Sequence, residues 1–478
     1  MKLYALLIII IVIVSIFLPA ALASSQCSLR TPIKHVINIF FENHTFDNLF
    51  GTYPGNSTTN ILNLSRPLNL LNNATLLHSL NPVPPGTFST PDPIEGYLPY
   101  HEDWDNGLMN GFLKGSGPQS LYYYTASQVS PLWDLAEEYA IADRYFAPQI
   151  GESAPNTLYY LAGFSPVFND YGPPPFIPIN ETIFGELNYY GISWGIYVYG
   201  DKKEFDMSQY ITGLGKYENN ILDWQAFNES LSSGNLPNVS YVFSQGGNGY
   251  DMGAPSNILK GELWLLYLID EIERSKYWNS TAIFITWDDP GGYYDQVPPP
   301  IVDGVQLGFR LPLIVISPYA KEDYISNTLM THSSILAFID YNWKLPALNQ
   351  FVGSLPVPLD IFNFNKSYSQ GNVARAPLQF SSFPVPMSPY FNLSQIQLNF
   401  NYSSEFPMKP QYNFTYLPYA REGKANQSLL DMGSGIFVKR DVSVTPFYLS
   451  SIFVLLIVFL DVILLIFWRF KNGWKKDT

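Results

Sequence analysis

The sequence predicts an α/β domain, a mostly parallel sheet sandwiched by helices. Three observations carry this. Five short, nearly continuous apolar runs recur along the chain: Val36–Phe41, Ser193–Tyr199, Val239–Phe243, Ala282–Trp287 and Leu311–Ile316. Such runs suit strands buried on both faces. Helix-like segments lie among them: Ser130–Ala140, Ser153–Gly163, Ile258–Lys276 and Ser333–Trp343. Finally, two of the runs end abruptly in acids and amides, and the carboxyl ends of parallel strands are where such folds bind ligands.

The chain has 478 residues, 47% of them apolar, enough for a sizeable core. Charged residues are only 14%, against about 25% in ordinary soluble proteins, and Tyr, Asn, Ser and Pro replace them. The termini explain this as an extracellular composition. Residues 1–23 read as a secretory signal peptide, an early Lys2 and a long apolar stretch ending in Ala21-Leu22-Ala23; an uncleaved anchor is the alternative. Residues 447–468 are long and apolar enough to span a bilayer core of ~30 Å. Arg469, Lys471, Lys475 and Lys476 follow, so residues 469–478 are expected in the cytoplasm and everything upstream outside. The expected location is the cell membrane, crossed once.

Residues 24–364 are assigned to the catalytic domain. Within them, residues 52–100 read as a long insertion rich in Asn, Leu and Pro. Residues 365–446 change texture and read as a glycosylated stalk or a small β module, with sequons at Asn365, Asn392, Asn401, Asn413 and Asn426. N-glycans are expected on an exposed, secreted surface. Cys27 is the only cysteine, so no disulfide framework exists within one chain. The formal net charge is −14, which argues against nucleic-acid binding.

The first apolar run ends in Glu42-Asn43 and the fourth in Asp288-Asp289, followed by Pro290-Gly291-Gly292. Adjacent carboxylates repel, and a nearby cation is the usual remedy. An all-oxygen set of Glu, Asn and two Asp suits a hard divalent ion, Ca, Mg or Mn rather than Zn. Taken alone, an acidic loop at a strand end is equally ordinary. Ser153 follows a glycine-containing turn and precedes a helix. It reads as a capping serine, as a nucleophile whose phosphate ester would rest on helix N–H groups, or as both at once.

Six ordered blocks extend this reading. The segments "IFFENHTFDNLFG", "HEDWDNGLMNGF", "ADRYFAPQIGESAPNTLYYLAG", "TWDDPGGYYDQVPPP", "FRLPLIVISPYAK" and "THSSILAFID" resemble, in order, those of the phosphoesterase family of non-specific phospholipases C and related acid phosphatases. The likeness runs from about Lys34 to Phe364. It implies an alkaline-phosphatase-like fold and a metal ion held by Glu42, Asn43, Ser153, Asp288 and Asp289. It implies that Ser153 attacks phosphorus and becomes a phosphoserine. It also raises His101 and His332 as candidates for phosphate binding or protonation of the leaving group. The substrate implied is a phosphate monoester or a phospholipid diester. His35, His44 and His78 read as structural or exposed.

This chain departs from the family's pattern at Thr157, Met252, Pro290 and Gln296, where members often carry Arg or His. Those departures keep a second reading alive: a cell-surface glycoprotein that has retained the fold and lost turnover.

Overall fold

The computed structural model describes residues 29–53, 79–170, 177–199, 202, 205–244 and 249–365. Both terminal apolar segments, Cys27, His78 and the stretch after Asn365 lie outside the described residues. The expected signal peptide, membrane span, cytoplasmic tail and stalk therefore do too.

The centre is an eight-stranded sheet. In chain order its strands are β1 (His35–Phe41), β2 (Ala140–Ala142), β3 (Trp194–Val198), β4 (Ile221–Asp223), β5 (Val239–Phe243), β6 (Thr281–Trp287), β7 (Leu313–Ile316) and β8 (Tyr324–Ser326). Across the sheet they run β8-β2-β7-β6-β1-β5-β3-β4. β1, β5 and β6 lie side by side and parallel, as do β5, β3 and β4. β7 alone runs against its neighbours β6 and β2. The sheet is thus mostly parallel, as the apolar runs predict.

The helices are α1 (Phe46–Phe50), α2 (Tyr97–Trp104), α3 (Ser130–Glu138), α4 (Ser153–Ala162), α5 (Ile183–Tyr190), α6 (Trp224–Ser233), α7 (Ile258–Arg274), α8 (His332–Trp343) and α9 (Gln350–Ser354). Strand side chains alternate between faces. Val36 and Phe40 of β1 pack in one apolar cluster with Leu158 of α4, Leu187 of α5 and Phe338 of α8. Ile37, Ile39 and Phe41 pack in another with Leu135 of α3, Phe227 of α6 and Leu268 of α7. Each fully buried aliphatic or aromatic side chain stabilises this arrangement by roughly 1.5–3 kcal/mol.

Two expectations need correction. The helix expected over Ser130–Ala140 stops at Glu138: Tyr139 leaves helical geometry with φ −124° and ψ −128°, and Ala140 already begins β2. Residues 79–100, the last part of the expected insertion within this domain, pack into its core rather than hanging from it: Val83, Thr90 and Tyr100 are buried, and Glu95 and Tyr100 reach the site described next.

Candidate active site

β1 and β6 pair in parallel from His35↔Thr281 to Phe41↔Trp287. That register delivers Glu42 and Asp288 to adjacent positions past the strand ends. Asn43 turns back with φ +68°, a left-handed conformation that Asn tolerates better than most residues. Its N–H donates to Asp288 Oδ1 at 2.9 Å and its Nδ2 to Glu95 Oε1 at 2.9 Å. The Asp288-Asp289 turn is held by its own backbone: Asp289 N–H donates to Asp288 Oδ1 and Gly291 N–H to Asp289 Oδ1, both at 2.7 Å. Gly291 has φ +57°, and a Cβ there would lie 2.6 Å from Asn43 Cβ. Only glycine allows the two turns to approach this closely.

Ser153 arrives from the opposite side, as the first residue of α4. Buried Asn156 fixes the preceding turn, accepting from Gln149 N–H at 3.1 Å and donating to the carbonyls of Gly151 and Glu152 at 2.8 and 3.0 Å. The reading of Ser153 as a helix cap does not hold: the cap position is Glu152, and Ser153 makes no capping bond. Its Oγ–H reaches Glu42 Oε2 at 3.3 Å and Asp289 Oδ2 at 3.4 Å. Two strand ends and a helix start, distant in sequence, thus meet around one hydroxyl.

The carboxyl groups crowd one another. Burial, then the charge of Asp288, holds Glu42 well above the usual carboxylate range. Burial, then Asp288 and Glu95, does the same to Asp289. Tyr100, fully buried, donates to Asp289 Oδ1 at 3.5 Å. Among the described residues, no set of three or more His, Cys, Asp or Glu side chains stands in a ready coordination cage. Asn43 Oδ1 and Asp288 Oδ2 are nevertheless buried without a hydrogen-bond partner. Orphaned oxygens beside mutually repelling carboxyls, with no sulfur or nitrogen donor among them, fit a hard cation.

The histidines behave differently from Ser153 and the acids. His332 is fully buried, with Nε2 2.9 Å from the Asp288 carbonyl and Nδ1 2.7 Å from the Tyr145 hydroxyl. A carbonyl only accepts, so Nε2 carries the proton and Nδ1 accepts from Tyr145. Burial lowers the His332 pKa to about 3. His332 therefore braces the acidic turn from behind. His101 sits on α2, its Nδ1 2.7 Å from the Tyr97 carbonyl and its ring 4.0 Å from that of Tyr97. The structure does not bring it into hydrogen-bond contact with Ser153. His44 is buried and structural, bonded to Asn48 and to the Met252 carbonyl. His35, half-buried, bonds the Pro237 carbonyl.

Sequence reasoning missed Glu95, Tyr100 and Asp170. The Asp170 carboxylate accepts from Ala154 N–H at 2.7 Å, at the start of α4. None of the three lies at the end of an apolar run, which was the signal used for the other acids.

A buried clamp ties the parts together. Arg310 Nη2 donates to Asp47 Oδ1 at 2.6 Å and its Nε to Asp295 at 3.1 Å, with Phe46 beneath the guanidinium. Asp47 follows the Glu42-Asn43 turn and Asp295 follows the Asp288-Asp289 turn. Gln296, where the family often has His, donates its N–H to Asp47 Oδ2 at 2.8 Å and so joins this clamp.

The model of the phosphoesterase family matches residues 33–346. The chain belongs to the phosphoesterase family. The match spans β1 to α8 and so contains every site residue named above. Among curated proteins it is similar to phospholipase C A of Mycobacterium tuberculosis, 25% identical over 402 residues, covering 67% of this chain and 74% of that protein. It is also similar to non-specific phospholipase C1 of Arabidopsis thaliana, 24% identical over 370 residues, covering 65% of this chain and 67% of that protein. Among solved structures it matches a protein in the alkaline phosphatase superfamily from Vibrio parahaemolyticus, 14% identical with a TM-score of 0.36, covering 70% and 74% of the two chains. Membership of the family makes this chain a hydrolase of phosphoric esters.

Proposed function

We propose that this protein is a membrane-anchored extracellular phosphoesterase that hydrolyses phosphate esters through a phosphoserine on Ser153. The observation that carries the reading is the meeting of the Ser153 hydroxyl with Glu42 and Asp289 at 3.3 and 3.4 Å. The relatives named phospholipase C support a phospholipase C-like or acid phosphatase-like activity on phospholipid or other phosphate esters.

The chain's own residues supply most of the chemistry. Glu42 or Asp289, the two acceptors in reach, takes the single Ser153 proton as Oγ attacks phosphorus in line with the leaving oxygen. The phosphorus–oxygen bond to the leaving alcohol breaks, the alcohol takes that proton from the carboxyl as it departs, and water then cleaves the phosphoserine, its oxygen leaving on the phosphate and one of its protons returning to Ser153 Oγ. A divalent ion, Ca, Mg or Mn rather than Zn, held by Glu42, Asn43, Ser153, Asp288 and Asp289 would lower the hydroxyl pKa and offset charge on the phosphoryl oxygens. The apolar segment 447–468 supports tethering at the membrane, and the sequons support N-glycans.

The test is hydrolysis of an aryl phosphate and of an aryl phosphodiester by the full chain, with and without chelator. Ser153→Ala should remove turnover, and chelation should suppress it until a divalent ion is restored. Undiminished hydrolysis by Ser153→Ala would overturn the mechanism.

One observation favours a second reading, a surface glycoprotein without turnover. His332 is committed at both nitrogens and His101 Nδ1 is bonded to the Tyr97 carbonyl, and neither histidine is hydrogen-bonded to Ser153. Absence of turnover across a pH series, together with no bound metal in native material, would decide for it.

A further inference from the structure

The start of α4 should be an anion seat, because the first N–H groups of a helix lack internal partners and carry its positive end. Here the seat is narrow. Pro155 has no N–H, and the Asn156 N–H donates to the Glu152 carbonyl at 3.4 Å. The N–H groups at the nucleophile without a partner inside the helix are thus those of Ser153 and Ala154, and the Ala154 N–H donates at 2.7 Å to the Asp170 carboxylate. The chain thus sets its own carboxylate on a helix-start N–H beside the nucleophile.

Asp170 is held there at both sides of its backbone. Its N–H donates to Glu152 Oε2 at 3.0 Å, and its carbonyl accepts from the Tyr210 hydroxyl at 3.1 Å. It is also near enough to Asp289 for its charge to act on that carboxyl. Glu95, bonded to Asn43, adds a further carboxyl near Asp289. A phosphate entering this site meets fixed negative charge beside the nucleophile, and each extra charge on the phosphate makes the meeting worse.

We propose that Asp170 is a specificity-determining residue, biasing the site toward singly charged phosphodiesters and against doubly charged monoesters and free phosphate. This rests on the Ser153 phosphoesterase reading and narrows its substrate class. The bias is steepest above the monoester's second pKa of about 6, where the ester is a dianion, and fades below it as the ester becomes a monoanion.

The test compares the full chain with Asp170→Asn, which keeps an oxygen for the Ala154 N–H and removes the charge. At about pH 8, where the monoester is a dianion, Asp170→Asn should raise kcat/KM for an aryl phosphate about tenfold, through KM, and tighten inhibition by inorganic phosphate by a similar factor. An aryl phosphodiester, with half the charge, should gain only about threefold. Equal changes for monoester and diester, or unaltered phosphate inhibition, would overturn the proposal. Asp170→Ala, with folding checked by thermal unfolding, should give the same monoester gain if charge is what matters; a loss on both substrates would show a merely structural role. Should the wild-type chain hydrolyse neither ester, the phosphoesterase reading fails by itself. Direct binding of inorganic phosphate then decides the role of Asp170, tighter in Asp170→Asn if it holds and equal if it does not.

Discussion

His332 shows how much a residue's role depends on where the fold puts its atoms. In sequence it is a histidine at a helix start, in a block that resembles a catalytic family. In the structure both nitrogens are bonded, and burial holds the ring neutral, with a pKa of about 3. The pH–rate profile should therefore carry no inflection from His332 near the ordinary imidazole value. His332→Ala should destabilise the fold by about 3 kcal/mol, through a cavity beside Phe40 and Tyr160 and an unbonded Asp288 carbonyl; denaturant unfolding measures this. Glu42, Asn43, Ser153, Asp288 and Asp289 were legible because acids and amides end apolar runs and a serine precedes a helix. Glu95, Tyr100 and Asp170 were not. They reach the site only through tertiary packing, from segments without a buried-strand pattern, and no local spacing records that.

At the scale of elements, the long runs were readable and the short ones were not. β1, β3, β5, β6 and the antiparallel β7 fall within a residue or two of the expected bounds, because strands buried on both faces are continuous in apolar residues. β2, β4 and β8 have three residues each, too few to establish a period. The close approach of the two site turns depends on Gly291. Gly291→Ala should reduce turnover at least tenfold with a smaller effect on thermal unfolding, since the clash falls on Asn43 rather than on the core. A second element-level prediction concerns α5 and α8. Burial and the neighbouring Asp340 raise Glu186 from its ordinary 4.5 to about 9, and burial raises Asp340 from 3.8 to about 7. Between pH ~4 and ~9 the folded chain keeps protons that the unfolded chain has released, so stability falls as pH rises through this window. Glu186→Gln should flatten that fall and gain on the order of 2 kcal/mol at about pH 8, read from unfolding curves at several pH values.

For the molecule as a whole, the unusual property is concentrated negative charge. The chain carries a net −14, and burial, then repulsion from neighbouring acids, holds Glu42 and Asp289 above the usual carboxylate range. A divalent ion that binds only the folded state should therefore raise Tm, by the equivalent of about 2.7 kcal/mol at a hundredfold excess over Kd. Asp289→Asn should lose most of that increment. The sandwich of helices about a mostly parallel sheet was legible because strands and helices alternate in the sequence. The signal, span and stalk expectations rest on sequence alone, since those residues lie outside the described part of the chain.

The most direct measurement is acid-quenched trapping of the enzyme during turnover of an aryl phosphate or phosphodiester, followed by peptide mapping for covalent phosphate. The account predicts a phosphoryl group on Ser153, absent in Ser153→Ala. Steady turnover by the wild-type chain with phosphate on another residue, or with Ser153→Ala turning over as fast, would contradict it.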